Sequence, residues 1–259
     1  MKNGLAWTSI MLGLVGSVAL ASAAQAAGTP LVPVAEAVLF PFYGRGTATE
    51  AVLVPAFEIE RTPVTNAQFL AFVRSAPRWQ RGTTPLLFAD GSYLAHWGGP
   101  LDLGDADPRQ PVTRVSWFAA RAFCSSLGRR LPSEHEWELV AQADEARLDA
   151  SRDPAFVARI LAWYGAPRGT LARVGAAPPN RYGVHDMHGL VWEWVLDFNA
   201  AMVDSDNRER GDGESSQFCG GGSVSARDAA DYAAFMRYAF RSSLRASYTV
   251  PNLGFRCAR

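Results

Sequence analysis

The segment Asn180–Phe198, NRYGVHDMHGLVWEWVLDF, constrains the fold more than any other part of the chain. Its nineteen residues include two Trp, two His, three carboxylates and two Gly. Trp192 and Trp194 alternate with Glu193, and a period of two is that of an extended strand, with both indoles on one face and the carboxylate on the other. The segment therefore predicts an apolar platform beside a group of oxygen donors.

Residues 1–26 have the pattern of a secretory signal peptide. Lys2 precedes an apolar run at positions 10–21, and the triplet AQA that ends at Ala26 fits the cleavage pattern. The alternative is a membrane anchor that stays in place, but the run is too short to span a bilayer comfortably. We therefore expect a periplasmic or secreted protein, cleaved near Ala26, with no membrane attachment afterwards.

The charge and the cysteine count limit the classes of function. The 25 basic residues balance the 25 acidic ones, so nothing indicates nucleic-acid binding. Cys124, Cys219 and Cys257 would enter an oxidising compartment, where a disulfide between two of them is expected. The count alone allows three pairings.

Several helix starts are legible in the sequence. Thr65 with Gln68, and Ser133 with Glu136, have the spacing of a capping box, and Ser116 precedes the apolar-periodic WFAARAFCSSL. An amphipathic stretch at 156–163 also has helical propensity. These signals predict a few separate helices, which the many Gly and Pro residues elsewhere connect through loops.

The remaining stretches predict loops and a last strand. Residues 75–111 are rich in Gly, Pro and Asp, and His96 next to Trp97 is placed to line a pocket in that loop. Residues 205–217 contain no apolar side chain and predict a surface loop. Phe255 and Cys257 alternate with their neighbours in a terminal strand.

Five ordered motifs carry a family resemblance. They are TPVTNAQFLAFV, PVTRVSWFAARAFCSSLGRRLPSEHEWELVAQA, the 180–198 segment, GGGSV and NLGFRCAR. Together they resemble the formylglycine-generating enzyme, or sulfatase-modifying factor, family. The resemblance implies one α+β domain at 56–259, after a leading segment at 27–55. Its fold is C-type-lectin-like and low in regular secondary structure, with few helices around short antiparallel strands. It also implies a disulfide between Cys124 and Cys257.

Calcium is a second implication of the resemblance. In the family, the turn equivalent to DMHGLVWE binds a cation, and its ligands correspond here to Asp186, the carbonyls of Gly189 and Val191, and Glu193. Oxygen ligands of this kind suit calcium. The usual Gly-Asn of the motif is Gly189-Leu190 in this chain. The alternative is that the two carboxylates only hydrogen-bond the turn backbone.

The resemblance also places the family's catalytic cysteines. In formylglycine-generating enzymes, two Cys that bind copper follow the GGS motif, and thiolates are the ligands that Cu(I) prefers. Here the motif ends at Ser223, and Ala226 and Asp231 stand at the two positions. We therefore expect no copper-thiolate centre and no formylglycine generation by that route. Cys219, His188 and Ser223 are the remaining catalytic candidates.

The 180–198 segment also contains the residue types of a different kind of metal site. His185, His188, Asp186 and Glu193 are the residue types of a non-haem iron site. The alternative is that each His is hydrogen-bonded within the turn. The sequence leaves iron open as a cofactor.

Three functions follow from these expectations. In the first, the protein is an exported, monomeric factor that helps to mature a periplasmic partner protein, as nitrite-reductase accessory members of the family do. In the second, it is an oxidoreductase on a peptide-derived substrate, similar to the pyoverdine-maturation member. In the third, it is a non-catalytic binding module, since the lectin-like scaffold also serves ligand recognition.

Overall fold

The computed structural model describes residues 28–41, 51–167, 169–199 and 229–259. The predicted signal peptide, the predicted surface loop at 205–217, and Cys219, Ser223 and Ala226 lie outside these ranges. Within them, no helix combines the length and the apolar character needed to cross a membrane.

Four short strands come first in the described chain, a run of helices follows them, and a further helix lies between the last two strands, as expected of an α+β fold. In chain order they are β1 (Leu31–Val34), β2 (Ala37–Leu39), β3 (Val52–Val54), β4 (Phe57–Glu60), α1 (Asn66–Ser75), a 3-10 turn (Pro77–Trp79), α2 (Trp117–Ser126), α3 (Glu134–Ala141), α4 (Pro154–Gly165), β5 (Trp192–Trp194), α5 (Ala229–Ser242) and β6 (Leu253–Phe255).

The strands of the described chain form pairs. β1 pairs with β4, and β2 with β3, both antiparallel. β5 and β6 are parallel, with Trp192 opposite Leu253 and Trp194 opposite Phe255. Parallel partners need a long connection, which the stretch between β5 and β6 supplies. This third pair joins the WEW motif to the NLGFR motif. The sequence analysis predicts antiparallel strands only, so the parallel pairing of β5 with β6 differs from that prediction.

The predicted helix starts are confirmed. The Thr65 hydroxyl accepts from Gln68 N, and the Gln68 side chain accepts from Thr65 N. Ser133 and Glu136 form the same reciprocal pair at the start of α3. Ser116 caps α2 through Ala119 N. Each side chain satisfies a backbone N–H that has no partner within its helix.

Aromatic side chains from three elements form the centre of the core. The ring centroid of Phe123 (α2) lies 5.8 Å from that of Phe69 (α1) and 5.4 Å from that of Phe255 (β6). Next to Phe123, Cys124 forms a disulfide with Cys257, across a sequence separation of 133. This is the pairing that the family resemblance implies, and it ties α2 to the segment that follows β6.

Residues 75–111 are irregular, as predicted, but they are packed into the core rather than solvated throughout. Trp79, Tyr93 and Trp97 are buried. The Tyr93 hydroxyl donates to Trp79 O, and Trp97 Nε1 donates to the Asn66 side chain. These bonds satisfy the polar atoms of the aromatic residues, which allows them to be buried.

Candidate functional site

The carboxylate of Glu193 is paired with the guanidinium of Arg256. Arg256 Nε donates to Glu193 Oε2 at 2.8 Å, and Arg256 Nη2 donates to Oε1 at 2.7 Å. Trp137 Nε1 also donates to Oε2, at 2.8 Å. Arg256 donates further to the backbone oxygens of Glu60 and His185. The pair of Glu193 and Arg256 thus connects β5 to the residue after β6, to α3 and to the end of β4.

This arrangement weighs against Glu193 as a calcium ligand, because the Arg256 guanidinium already supplies a positive charge to both of its oxygens. Asp186 Oδ2 accepts from Gly175 N at 2.6 Å, and burial raises the pKa of Asp186. The calcium prediction then rests on Asp186 and on the carbonyls of Gly189 and Val191, and for these it stays a prediction.

The two histidines of the segment contact different parts of the chain. His185 Nδ1 lies 2.8 Å from Ala177 O, and His188 Nε2 lies 2.9 Å from Ala141 O. Burial, followed by the charge of Arg237, lowers the pKa of His188 to about 3, so its ring is neutral near neutral pH. Within the described residues, no three His, Cys, Asp or Glu side chains lie together as a metal site.

An open cleft of about 480 Å³ lies beside β5 and β6. The main side chains that line it are Trp163 and Tyr164 at the end of α4, Leu190 and Trp192 around the start of β5, and Asn252 just before β6. None of its described lining residues carries a formal charge. The cleft can therefore receive a group that is apolar or aromatic.

Stacked aromatic rings form one wall of the cleft. The ring centroid of Trp192 lies 5.0 Å from that of Tyr164, 5.2 Å from that of Trp163 and 4.6 Å from that of Phe240 in α5. The Tyr164 hydroxyl donates to Ala233 O and accepts from Arg237. Helices α4 and α5 therefore hold the rings around Trp192 in place.

A buried cluster of charges fixes α5 against α3. Arg237 donates to both carboxylate oxygens of Glu138, and Arg241 Nη1 lies 3.2 Å from Glu134 Oε1 and 2.9 Å from Glu138 Oε1. Burial raises the pKa of Glu134 to about 7. Burial would also raise the pKa of Glu138, but Arg237 and Arg241 outweigh it and lower the value to about 2.

The predicted site residues and the cleft coincide only in part. Gly189 of the predicted calcium turn lines the cleft, as does Trp192 of the predicted aromatic platform. Asp231 falls within α5, a helix that the sequence analysis did not identify. Sequence reasoning also missed the roles of Tyr164 and Asn252. The adjacent Trp163 and Tyr164 at the end of an amphipathic helix were the signal available for the first of these.

The chain is similar to several known proteins. Residues 19–259 match the sulfatase-modifying factor enzyme 1-like domain. The chain is 30% identical over 268 residues to the formylglycine-generating enzyme of Thermomonospora curvata, which covers 85% of this chain and 86% of that protein. It is 34% identical over 162 residues to the hercynine oxygenase of Mycolicibacterium thermoresistibile, which covers 55% of this chain and 36% of that protein. Among solved structures, CarF superposes with a TM-score of 0.50 at 19% identity, over 89% of this chain and 98% of that one, which shows the fold alone.

Proposed function

This chain belongs to the sulfatase-modifying factor enzyme 1-like family, and we propose that it is an exported maturation factor. It would bind a segment of a periplasmic partner protein in the cleft beside Trp192. The observation that carries the proposal is the cleft itself, with its stacked aromatic wall and uncharged lining. The export that the proposal requires is supported by the signal-peptide pattern of residues 1–26.

The chemistry of the cleft favours a peptide segment with an uncharged side chain. Its volume of about 480 Å³ is in the range of sites that enclose a small molecule or a few side chains. Indole and phenol rings have large apolar surfaces, and here they are already ordered by their packing. A peptide can therefore pack on them with little loss of conformational entropy by the rings. Asn252 lines the cleft and has a side-chain amide, a group that can hydrogen-bond a peptide backbone.

Although the chain belongs to this family, it lacks the two cysteines on which the family's copper chemistry depends. Ala226 and Asp231 stand where the family pattern has its two cysteines. A methyl group and a carboxylate cannot replace two soft sulfur ligands for Cu(I). The proposed factor therefore acts without generating formylglycine by that route.

The test is site-directed photo-crosslinking in cells that make the protein with its signal peptide. A benzophenone amino acid replaces Leu190, which lines the cleft, and in the control it replaces Leu148, which is 53% exposed and does not line it. We expect one partner to be crosslinked from position 190 and not from position 148. The mass of that partner is then compared between cells with the unchanged protein and cells with Trp192→Ala.

The result separates the proposed function from its competitors. A covalent change in the partner that disappears with Trp192→Ala supports maturation. A crosslinked partner of unchanged mass would instead identify a non-catalytic binding module. Equal crosslinking from both positions would remove the cleft as the binding site.

The oxidoreductase alternative is supported by the similarity to hercynine oxygenase. That similarity covers 36% of the relative, so it supports a redox reaction only as a second candidate. The distinguishing measurement is elemental analysis of the exported protein. Stoichiometric iron or copper, together with an oxidised small peptide product, would favour the oxidoreductase over the maturation factor.

A further inference from the structure

The imidazole of His96 lacks hydrogen-bond partners among the described residues, although neither of its ring nitrogens reaches solvent. A neutral imidazole has one N–H donor and one acceptor. Buried polar groups in folded proteins nearly always have a partner, because an unpaired one costs free energy. Two unpaired nitrogens on one imidazole, both shielded from solvent, therefore point to a ligand.

The charged side chains that act on His96 are both cationic. Burial, then the charges of Arg114 and Arg81, lower the pKa of His96 to about 4. The ring is therefore neutral near neutral pH and keeps one N–H to donate. Two guanidinium groups would repel a metal cation and attract an anion. The two arginines around His96 therefore favour a negatively charged ligand.

The backbone around this cluster is held in an uncommon conformation. Leu94 and Arg114 have positive φ angles of 48° and 52°, which side chains other than glycine adopt rarely. Leu94 N donates to Arg114 O at 2.9 Å, and Arg114 N donates to Val250 O at 3.1 Å. Arg81 Nη1 donates to the backbone oxygen of Trp97. These bonds fix the backbone segments that carry the three side chains. Strained backbone conformations such as the two positive φ angles cost free energy, and they are common at binding sites.

We propose that His96, Arg81 and Arg114 bind an oxyanion, either a carboxylate or a phosphate group, at a place separate from the cleft beside Trp192. Guanidinium groups bind such oxyanions through charge-assisted, often paired hydrogen bonds. The neutral His96 ring adds one further N–H. None of the three residues lines the cleft, so the site does not depend on the proposed maturation function.

The experiment is a nitrogen NMR titration of the histidine rings near neutral pH. Protein with ¹⁵N-labelled histidine is titrated with sodium acetate and, separately, with inorganic phosphate, at constant ionic strength. His96→Gln identifies the resonances. We expect a saturable shift of the His96 nitrogens, and Arg114→Gln or Arg81→Gln should each weaken binding about tenfold, the effect of losing one charged hydrogen bond.

Arg74→Gln is the matched control, because Arg74 is exposed and its loss changes the net charge equally. It should leave the affinity unchanged. A response to acetate alone identifies a carboxylate ligand, to phosphate alone a phosphate, and to both the shared oxyanion chemistry. If Arg114→Gln disturbs the fold, Arg81→Gln provides the comparison. No shift with either anion, or equal weakening by Arg74→Gln, would overturn the proposal.

Discussion

The guanidinium of Arg256 donates to both carboxylate oxygens of Glu193, and neither side chain reaches solvent. Removing one member of such a pair leaves the other charge buried and unpaired, which typically costs about 3 to 5 kcal/mol. We expect Arg256→Leu to lower the free energy of unfolding by roughly this amount, as measured by urea denaturation.

The exposed pair Arg259 and Glu58 provides the control for that measurement. Its side chains are 63% and 35% exposed, and Arg259 lies three residues after Arg256. Exposed ion pairs contribute at most about 1 kcal/mol, so Arg259→Leu should have a small effect. Equal losses from the two variants would contradict the structural role given to Glu193.

The Glu138 carboxylate should govern part of the acid sensitivity of the fold. Arg237 and Arg241, against the opposing effect of burial, lower its pKa from 4.5 to about 2. A group with a lowered pKa stabilises the fold at pH values above its unfolded pKa, and that contribution is lost as the pH falls toward the folded value. We therefore expect the unfolding free energy to decrease from pH 4.5 down to about 2.

Glu138→Gln tests this assignment, because glutamine does not titrate. The variant is expected to be less stable near neutral pH, since both arginines lose a charged partner. Its unfolding free energy should then decrease less steeply between pH 4.5 and 2 than that of the unchanged protein. A parallel decrease in both proteins would place the acid sensitivity in other groups.

The disulfide between Cys124 and Cys257 should contribute strongly to stability. It closes a separation of 133 residues, and loop entropy for a closure of this length corresponds to up to about 5 kcal/mol. We expect Cys124→Ala with Cys257→Ala to lose up to that amount in denaturant unfolding. The reduced form of the unchanged protein should match the double variant, and a reduced form of full stability would contradict the assignment.

The parts of this fold that can be predicted from the sequence are those that depend on interactions between residues close together in the chain. Thr65, Ser116 and Ser133 predict helix starts because a cap satisfies backbone groups within three residues of itself. The packing of Trp192 against Tyr164 and Phe240 is not predictable from the sequence, because the three residues come from distant parts of the chain. The ion pair between Glu193 and Arg256 is also not predictable from the sequence. A carboxylate beside a turn has the pattern of a metal ligand, and nothing in the local sequence indicates that Arg256 contacts it.

Calcium should bind weakly if it binds at the turn around Asp186. With Glu193 paired to Arg256, one carboxylate and the carbonyls of Gly189 and Val191 remain from the predicted set. Few charged ligands give dissociation constants of about 10⁻⁴ to 10⁻³ M. Calorimetric titration should show binding no tighter than this range, and Asp186→Asn should abolish it. Submicromolar binding would mean that Glu193 exchanges Arg256 for the ion.

The chain should not convert a sulfatase-type cysteine to formylglycine by the copper route. Cu(I) prefers soft sulfur ligands, and the two family positions hold Ala226 and Asp231. Reduced, purified protein loaded with Cu(I) and offered a cysteine-containing sulfatase peptide should leave the peptide mass unchanged, whereas a genuine formylglycine-generating enzyme is the positive control. Restoring both cysteines, as Ala226→Cys with Asp231→Cys, should raise Cu(I) affinity, which a competition assay measures. Efficient peptide conversion by the unchanged chain would show that its oxidation chemistry does not need the thiolate pair.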